Sequence, residues 1–275
     1  MKRILTIVSD PLTFGRGHLT RQKRLAQILS DTGFEVTLIV NGDSLTTEKS
    51  HDLLILDLSD RDTSPPEKLL GDFKFVVGFD WCMRFVPDIN FVVFQHVGKV
   101  YPSKIETYVG FEYIILNNRF EQSHRLNSPS AKKYQLISIG FSAKSQKILE
   151  VLDVATKISD LPIKICSGIE LDLIHKESVE LLINPDNYVH LVQDSQVVYT
   201  NGASTLLEAM LLRKKIVAFP QTVEEEFFLA EIENRLGVDF RPSSRSQEFL
   251  EYDPTRIFDC NGALRILDLL KGYLL

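Results

Sequence analysis

The chain has 275 residues, of which 44% are hydrophobic and 25% charged, so it is long enough for two ordinary globular domains with cores of their own. A formal net charge of −6 argues against nucleic acid as a partner, because nucleic-acid-binding surfaces are usually basic. No apolar run approaches the ~20 residues of a membrane-spanning helix, and the three cysteines lack disulfide-framework or zinc-ligand spacing. With no secretory leader visible, we expect a cytoplasmic protein without stable membrane insertion.

The first half of the chain alternates short apolar runs with amphipathic ones. Runs such as RILTIV (residues 3–8) and DLLILDL (52–58) are typical of strands buried on both faces of a parallel sheet. A helix is predicted over residues 19–30, where Gly33 marks its end, and a short helical piece after Pro65 and Pro66. The remaining strands predicted in this half are FEVTLIV (34–40), FKFVVGF (73–79), FVVF (91–94) and YIIL (113–116).

A polar stretch over residues 117–133 is the candidate linker, although its first part could be docked structure, and the alternation restarts after it. The strand-type runs are YQLISIG (134–140), PIKIC (162–166), YVHLV (188–192), QVVYT (196–200) and KIVAF (215–219). Helices are predicted near 145–159, 171–183, from 205, 223–236 and 257–275. This pattern predicts an α/β protein with two doubly wound Rossmann-like domains, residues 1–127 and 128–275, which face each other across a cleft.

The first candidate site is FGRGH (residues 14–18), which follows the first predicted strand. Gly15 and Gly17 allow a tight turn, and the helix that begins near His18 offers unpaired N–H groups to an anion. The helix dipole disfavours a charged imidazole there, so His18 is the candidate catalytic base, with Gly15, Arg16 and Gly17 beside the substrate. A plain turn with a solvated histidine would explain the same pattern. The basic residues that follow are interpreted as a solvated helix face: Arg21, Lys23 and Arg24.

The second candidate site is YTNGASTLLEA (residues 199–209), where a buried strand is followed by a loop of small residues and a helix. This arrangement suits a phosphate group at the start of the helix. Thr205 and Glu208 also have the spacing of a capping box, a purely structural alternative. The candidate ligand-binding residues here are Asn201, Gly202, Ala203, Ser204, Thr205 and Glu208.

Three weaker signals lie at other predicted strand ends. Gly140 and Ser142 could offer backbone and hydroxyl donors to a phosphate, and Gln221 could bind a ligand just before an acidic helix start, although ordinary turns explain these residues equally well. The acidic residues at strand ends could face the cleft or cap turns: Asp57, Asp60 and Asp80. Since no histidine or cysteine has metal-ligand spacing, we expect neither a metal nor a cofactor.

Two motifs together resemble a known family. G-R-G-H-x-x-R-x-x-x-L-A (residues 15–26) and T-N-G-A-S-T-L-L-E-A-M-L-L-x-K-K-I-V-A-F-P-Q (200–221) are similar to those of GT-B nucleotide-sugar proteins. This group contains the UDP-sugar hydrolase of pseudaminic acid synthesis and spore-coat polysaccharide biosynthesis proteins. More distantly, the chain resembles the N-acetylglucosaminyltransferase that forms lipid II. The resemblance covers nearly the whole chain.

The resemblance implies roles for individual residues. His18 matches the catalytic histidine, residues 201–205 match the nucleotide-binding loop, and Glu208 matches the glutamate that contacts the ribose hydroxyls. Gln221 and Glu225 fall in a segment that faces the donor sugar, and the related hydrolase uses no metal. This chain departs from the family at Phe141, where a second glycine is usual.

The leading hypothesis is a metal-independent nucleotide-sugar hydrolase that releases a nucleoside diphosphate and free sugar, with a UDP-sugar as substrate. His18 would be its general base. Two alternatives stay open: a glycosyltransferase that uses the same donor site, and a nucleotide-sugar-binding protein without catalytic activity.

Overall fold

The computed structural model describes residues 2–43, 51–59, 73–79, 91–94, 106–126, 133–140, 143–171, 178–242 and 251–274. The chain forms two compact units, the first made of Met1–Asn117 with Phe258–Leu275 and the second of Asn118–Ile257. The predicted boundary between residues 127 and 128 differs from this division at both ends of the second unit.

Each unit has its own strands and helices. The strands are β1 (Arg3–Val8), β2 (Glu35–Val40), β3 (Leu53–Asp57), β4 (Phe75–Phe79), β5 (Phe91–Phe94), β6 (Glu106–Val109), β7 (Tyr134–Ser138), β8 (Ile163–Ser167), β9 (Val179–Ile183), β10 (Ser195–Thr200) and β11 (Lys215–Ala218). The α-helices are α1 (Pro11–Phe14), α2 (Gly17–Asp31), α3 (Asn118–Leu126), α4 (Ser145–Ile158), α5 (Tyr188–Asp194), α6 (Ser204–Leu211), α7 (Val223–Leu236) and α8 (Gly262–Leu274). Short 3₁₀ helices occupy Phe111–Tyr113 and Pro254–Arg256.

The first unit contains a parallel sheet with the strand order β2-β1-β3-β4-β5-β6. Every residue of β3 is buried, as the near-continuous apolar run DLLILDL predicts. The chain leaves β1 toward β2 and then returns to the other side of β1 as β3. In open α/β sheets, ligands gather at the carboxyl ends of the strands at such a reversal.

The second unit repeats this plan with the parallel strand order β11-β10-β7-β8-β9. Its reversal lies between β7 and β10, and the helices α4 and α6 begin after these two strands. One face of the sheet is packed by α4, whose Ile148, Val151, Leu152 and Ala155 are buried. In each unit, a ligand site is therefore expected at the carboxyl ends of the two strands that flank this reversal.

The last helix of the chain packs in the core of the first unit. Residues of α8 such as Ile266 and Leu270 are buried in one cluster with Leu25 and Leu29 of α2. The sequence analysis assigns this segment to the second domain because it follows that domain in the chain. An amphipathic pattern specifies which face a helix buries and leaves open which sheet receives it.

Three predicted elements differ from the structure. Residues 113–116 form no strand: Tyr113 ends a 3₁₀ helix and residues 114–116 follow it as a buried segment, while the edge strand β6 is not predicted. Residues 179–183 form β9 where a helix is predicted, and the run YVHLV lies in α5. Helix α3 occupies the first part of the candidate linker, where the sequence leaves docked structure open. In each case a short apolar or mixed run was compatible with either structure, and tertiary packing decided. The helical piece predicted after Pro65 lies outside the described residues.

The start of α8 requires a close approach to the backbone of the same unit. A Cβ atom at Gly262 would stand 2.1 Å from the carbonyl oxygen of Ile114, whereas one at Gly272, in the same helix, would meet nothing within 4 Å. We expect Gly262→Ala to lower the free energy of unfolding by about 1–3 kcal/mol through overpacking. Gly272→Ala, in the last turn of the same helix, should instead raise it slightly, by less than about 1 kcal/mol, because alanine has a higher helix propensity than glycine.

Urea unfolding of the two glycine variants and the wild type measures this difference. Equal stability changes for the two substitutions would contradict the close approach of Gly262 to Ile114.

Candidate functional site

His18 is the second residue of α2 and lies at the carboxyl end of the first sheet. The short helix α1 follows β1, Gly15 ends it, and α2 begins two residues later, so the histidine is placed beside the end of β3. There the Nδ1 atom of His18 lies 2.6 Å from Oδ1 of Asp57, the last residue of β3. The two residues flank the reversal of strand order, where a ligand site is expected.

The Asp57 carboxylate is completely buried and accepts several hydrogen bonds. Arg21 donates its Nε–H to Oδ2 at 2.6 Å and a second hydrogen bond from Nη2 to Oδ1, while Gln22 donates to Oδ2 at 2.8 Å. Burial by itself raises the pKa of Asp57, but the charge of Arg21 and the hydrogen bonds from Arg21 and His18 outweigh it and hold the pKa below its usual value. Asp57 is therefore an anion at neutral pH.

An ionised Asp57 determines which imidazole nitrogen of His18 carries the proton. Since a carboxylate only accepts hydrogen bonds, the short contact requires the proton of the neutral ring to reside on Nδ1. The Nε2 atom is then left as an acceptor, and a fifth of the side chain remains exposed. This geometry suits a general base.

Sequence reasoning missed two members of this group, Arg21 and Gln22. The expected solvated face is correct for the exposed Lys23 and wrong for Arg21, whose side chain is only 11% exposed. The spacing H-x-x-R-Q held the signal, because residues three and four apart share one face of a helix. This spacing indicates a site only when an anion is known to lie opposite that face of the helix.

The other residues predicted around His18 lie in the same loop. Gly15 ends α1, the exposed Arg16 immediately precedes α2, and Gly17 is its first residue. Substrate contact by these three stays a prediction. Asp60 and Asp80 lie outside the described residues, as do Ser142 and Phe141.

In the second unit, polar groups gather where β7 and β10 end. The Tyr188 hydroxyl lies 3.0 Å from Oγ of Ser138 and donates to Oγ1 of Thr205 at 3.5 Å. Burial, together with the charge of Glu208, raises the pKa of Tyr188, so its hydroxyl stays neutral. Tyr188 joins the end of β7 to the start of α6. It was missed because its segment was predicted as a strand.

A connected polar group lies beside the ends of β7 and β10 and consists of Asn201, Gln221 and Glu225. Asn201 donates from Nδ2 to Oε1 of Glu225 at 2.6 Å, and the Gln221 backbone N–H donates to Oε2 of Glu225 at 2.7 Å. The side-chain amide of Gln221 donates to the carbonyl of Ile139. Thr222 caps α7 by accepting from the backbone N–H of Glu225 at 3.2 Å. These bonds fix the orientation of the Asn201 amide.

Two buried acceptors at this edge have no hydrogen-bond partner in the described part of the chain: Oδ1 of Asn201 and Oγ1 of Thr200. Buried polar atoms are normally paired, so unpaired ones at the carboxyl end of a strand mark a place where a ligand or water can bind. Gly140 lies directly beside them, since a Cβ atom there would stand 3.3 Å from Nδ2 of Asn201.

Gly202 is required by close packing between two segments of the predicted site. A Cβ atom at this position would stand 2.5 Å from the backbone oxygen of Glu225. The glycine therefore lets the loop after β10 lie directly against the first turn of α7. Asn201 and Glu225, which sequence reasoning proposed separately, are brought together by this contact.

Helix α6 begins at Ser204, so the predicted capping box is wrong. Ala203 is the N-cap residue and provides no side-chain hydrogen bond, and Thr205 already lies inside the first turn. The first backbone N–H groups of α6 therefore lack the side-chain cap predicted from Thr205 and Glu208. Such a helix start is available to an anion.

Glu208 is a buried carboxyl group near the start of α6. Only 8% of the residue is exposed, and its side chain makes no hydrogen bond within the described ranges. Burial raises the pKa of Glu208 to about 8, so the group is mostly protonated at neutral pH. A buried carboxyl group with free hydrogen-bonding capacity can accept from or donate to the hydroxyls of a ligand.

We expect Glu208→Gln to stabilise the protein increasingly as the pH rises. With a pKa near 4.5 when unfolded and about 8 when folded, the native state binds more protons between these values. The wild type consequently loses stability as the pH rises through that range, and a glutamine cannot ionise. Thermal unfolding between pH 5 and pH 9 measures the effect.

The exposed Glu170 provides the matched control, Glu170→Gln. The Tm difference between Glu208→Gln and the wild type should widen from pH 5 to pH 8, while that of the control stays constant. A Glu208→Gln difference that does not change with pH would show that Glu208 ionises normally.

No protein-family model matches the chain, and no curated protein sequence matches it significantly. Solved structures do match. The spinosyn rhamnosyltransferase SpnG, complexed with thymidine diphosphate, is 11% identical with a TM-score of 0.57, over 86% of this chain and 85% of that one. An α-glucosyltransferase in complex with UDP and a 13-mer DNA is 14% identical with a TM-score of 0.56, over 98% and 90%. MurG from Acinetobacter baumannii is 11% identical with a TM-score of 0.50, over 84% of each chain.

These neighbours are GT-B glycosyltransferases, and the two parallel-sheet α/β units of this chain have a GT-B-like fold. They match the transferase alternative of the sequence analysis better than its leading hydrolase hypothesis. Since one neighbour was solved with DNA, the expected absence of a nucleic-acid partner stays a prediction. Within the described residues, no helix is long and apolar enough to cross a membrane, and no group of three or more His, Cys, Asp or Glu residues could hold a metal ion.

Proposed function

We propose that this protein is a glycosyltransferase that uses a nucleotide-sugar donor, with His18 as its general base. The hydrogen bond between His18 and the buried Asp57 carries the proposal, because it leaves Nε2 of the imidazole free to accept a proton. The GT-B-like fold supports the same class of reaction.

In this proposal, the donor nucleotide binds at the carboxyl ends of the strands of the second sheet. The first N–H groups of α6 at Ala203, Ser204 and Thr205 receive the diphosphate, together with the backbone of Gly140 and the hydroxyl of Ser142. The unpaired Oδ1 of Asn201 accepts a further hydrogen bond from the donor. The family resemblance suggests UDP as the nucleotide and ribose hydroxyls as partners of Glu208. It also suggests the donor sugar as the partner of Gln221 and Glu225.

The chemistry is a displacement at the anomeric carbon of the donor sugar. An acceptor hydroxyl attacks this carbon while Nε2 of His18 takes its proton. The bond from the carbon to the phosphate oxygen breaks, and the nucleoside diphosphate leaves with the electron pair. Asp57 stabilises the imidazolium that forms, and the N–H groups of α6 stabilise the charge on the leaving group. The mechanism requires the sugar of the bound donor to reach His18.

A nucleotide-sugar hydrolase is the second candidate, because the same base would remove a proton from water. The resemblance of the G-R-G-H-x-x-R motif to the hydrolase family favours it. A protein that binds nucleotide sugars without turnover is the third, and it would keep the second site and make no use of His18.

We expect His18→Ala to lower turnover by ~100- to 10,000-fold, the usual contribution of a general base, with the affinity for UDP unchanged. The wild type is incubated with UDP-, dTDP-, GDP- and CMP-sugars, first alone and then with monosaccharides, phenols, a lipid extract or duplex DNA as acceptors. Mass spectrometry detects the nucleotide, the free sugar and any glycosylated acceptor, and calorimetry measures the binding of UDP.

A glycosylated acceptor supports the transferase, and free sugar released without an acceptor supports the hydrolase. If UDP binds but no donor is turned over under any condition, both enzyme hypotheses are contradicted and only the non-catalytic binding protein remains. The exposed His190 provides the control, His190→Ala, which should keep wild-type turnover. Equal losses of UDP affinity and turnover in His18→Ala would contradict the separate roles assigned to the two units.

A further inference from the structure

We propose that Arg21 is a positioning residue for the reaction: it fixes the carboxylate of Asp57 against Nδ1 of His18 and so leaves Nε2 available as the base. This inference rests on the proposed function, since it assigns a role within the same site. It extends the His18–Asp57 pair to a third side chain that does not itself take part in the proton transfer.

The hydrogen bonds of Arg21 determine the orientation of the carboxylate. Its Nε–H bonds Oδ2 of Asp57 at 2.6 Å, and its Nη2 bonds Oδ1. A planar guanidinium that bonds both oxygens aligns the plane of the carboxylate with its own. Gln22 adds a second donor on Oδ2 at 2.8 Å. Oδ1 is thereby held facing Nδ1 of His18, and Asp57 cannot rotate away from the ring.

Arg21 also lies close to the imidazole ring itself. Asp57 faces the ring from β3, and Arg21 faces it from the same helix, with Nη2 3.2 Å from Nδ1. In the neutral ring Nδ1–H donates to Oδ1 of Asp57, and Nη2 of Arg21 donates to the same oxygen. The two donors together hold Oδ1 in place, and the ring stays in the Nδ1–H tautomer.

The variants separate the geometric role of Arg21 from its charge. Arg21→Lys keeps a cation, which leaves Asp57 paired and allows folding, but an ammonium group cannot bond both carboxylate oxygens in a planar arrangement. Arg21→Met removes the cation and all the hydrogen bonds. The exposed Lys23 lies on the same helix, and Lys23→Met is the matched control.

We expect kcat to fall by about 10- to 1,000-fold in Arg21→Met, within the range set by a general base, and by less in Arg21→Lys. KM for the donor should be unchanged, because the proposed donor site lies in the second unit, and Lys23→Met should behave as the wild type. In a double variant with Asp57→Asn, Arg21→Met should cause little additional loss, because it acts through Asp57.

A second measurement needs no turnover and reports a property that a purely structural role would not change. In ¹⁵N-labelled protein, the ring nitrogen shifts of His18 should report the Nδ1–H tautomer in the wild type and in Lys23→Met, and a mixture of tautomers in Arg21→Lys. A wild-type tautomer and a wild-type kcat in Arg21→Lys would overturn the inference. If His18→Ala abolishes turnover while the Arg21 variants do not reduce it, the proposed function survives and this inference fails. If the wild type has no turnover, the proposed function fails, and the tautomers alone decide the role of Arg21.

Discussion

The buried carboxylate of Asp57 is the constraint on which the first unit depends. A charge at the end of a fully buried strand is tolerated only if donors from elsewhere in the fold satisfy it. Helix α2 supplies them from three positions of its first two turns, His18, Arg21 and Gln22. The rotation of α2 about its own axis is therefore determined within its first two turns, and the short connection through Gly15 must place the helix in that orientation.

The polar groups at the carboxyl ends of β7 and β10 contrast with the saturated carboxylate of Asp57. Asn201 and Thr200 keep buried acceptors without partners in the described residues, and Glu208 is held mostly neutral by burial. A saturated group such as Asp57 is rigid, whereas unsatisfied groups lower the stability of the free protein and regain their hydrogen bonds when a ligand binds. In the proposed function, the first arrangement orients the base and the second one binds the donor.

The sequence predicts the fold better than it predicts the site. Apolar runs such as that of β3 are unambiguous, because both faces of a central parallel strand are buried. Edge strands such as β9 bury less, and their mixed pattern also fits a helix. His18 could be identified from its loop, whereas Arg21 and Tyr188 could not, since their roles depend on partners 36 and 50 residues away. Local spacing places Arg21 on one helix face with His18, but it does not identify the distant residue that this face meets.

The chemistry of the His18–Asp57 pair does not by itself select water or an acceptor hydroxyl. Both are weakly acidic O–H groups whose proton must be removed as the oxygen attacks, so the same base serves either reaction. Asp57 cannot add a second base, because its oxygens already accept hydrogen bonds from three side chains. The choice must then come from the groups that bind the acceptor and exclude water from Nε2. In the proposed function, therefore, residues around the histidine, and not the histidine itself, decide between transfer and hydrolysis.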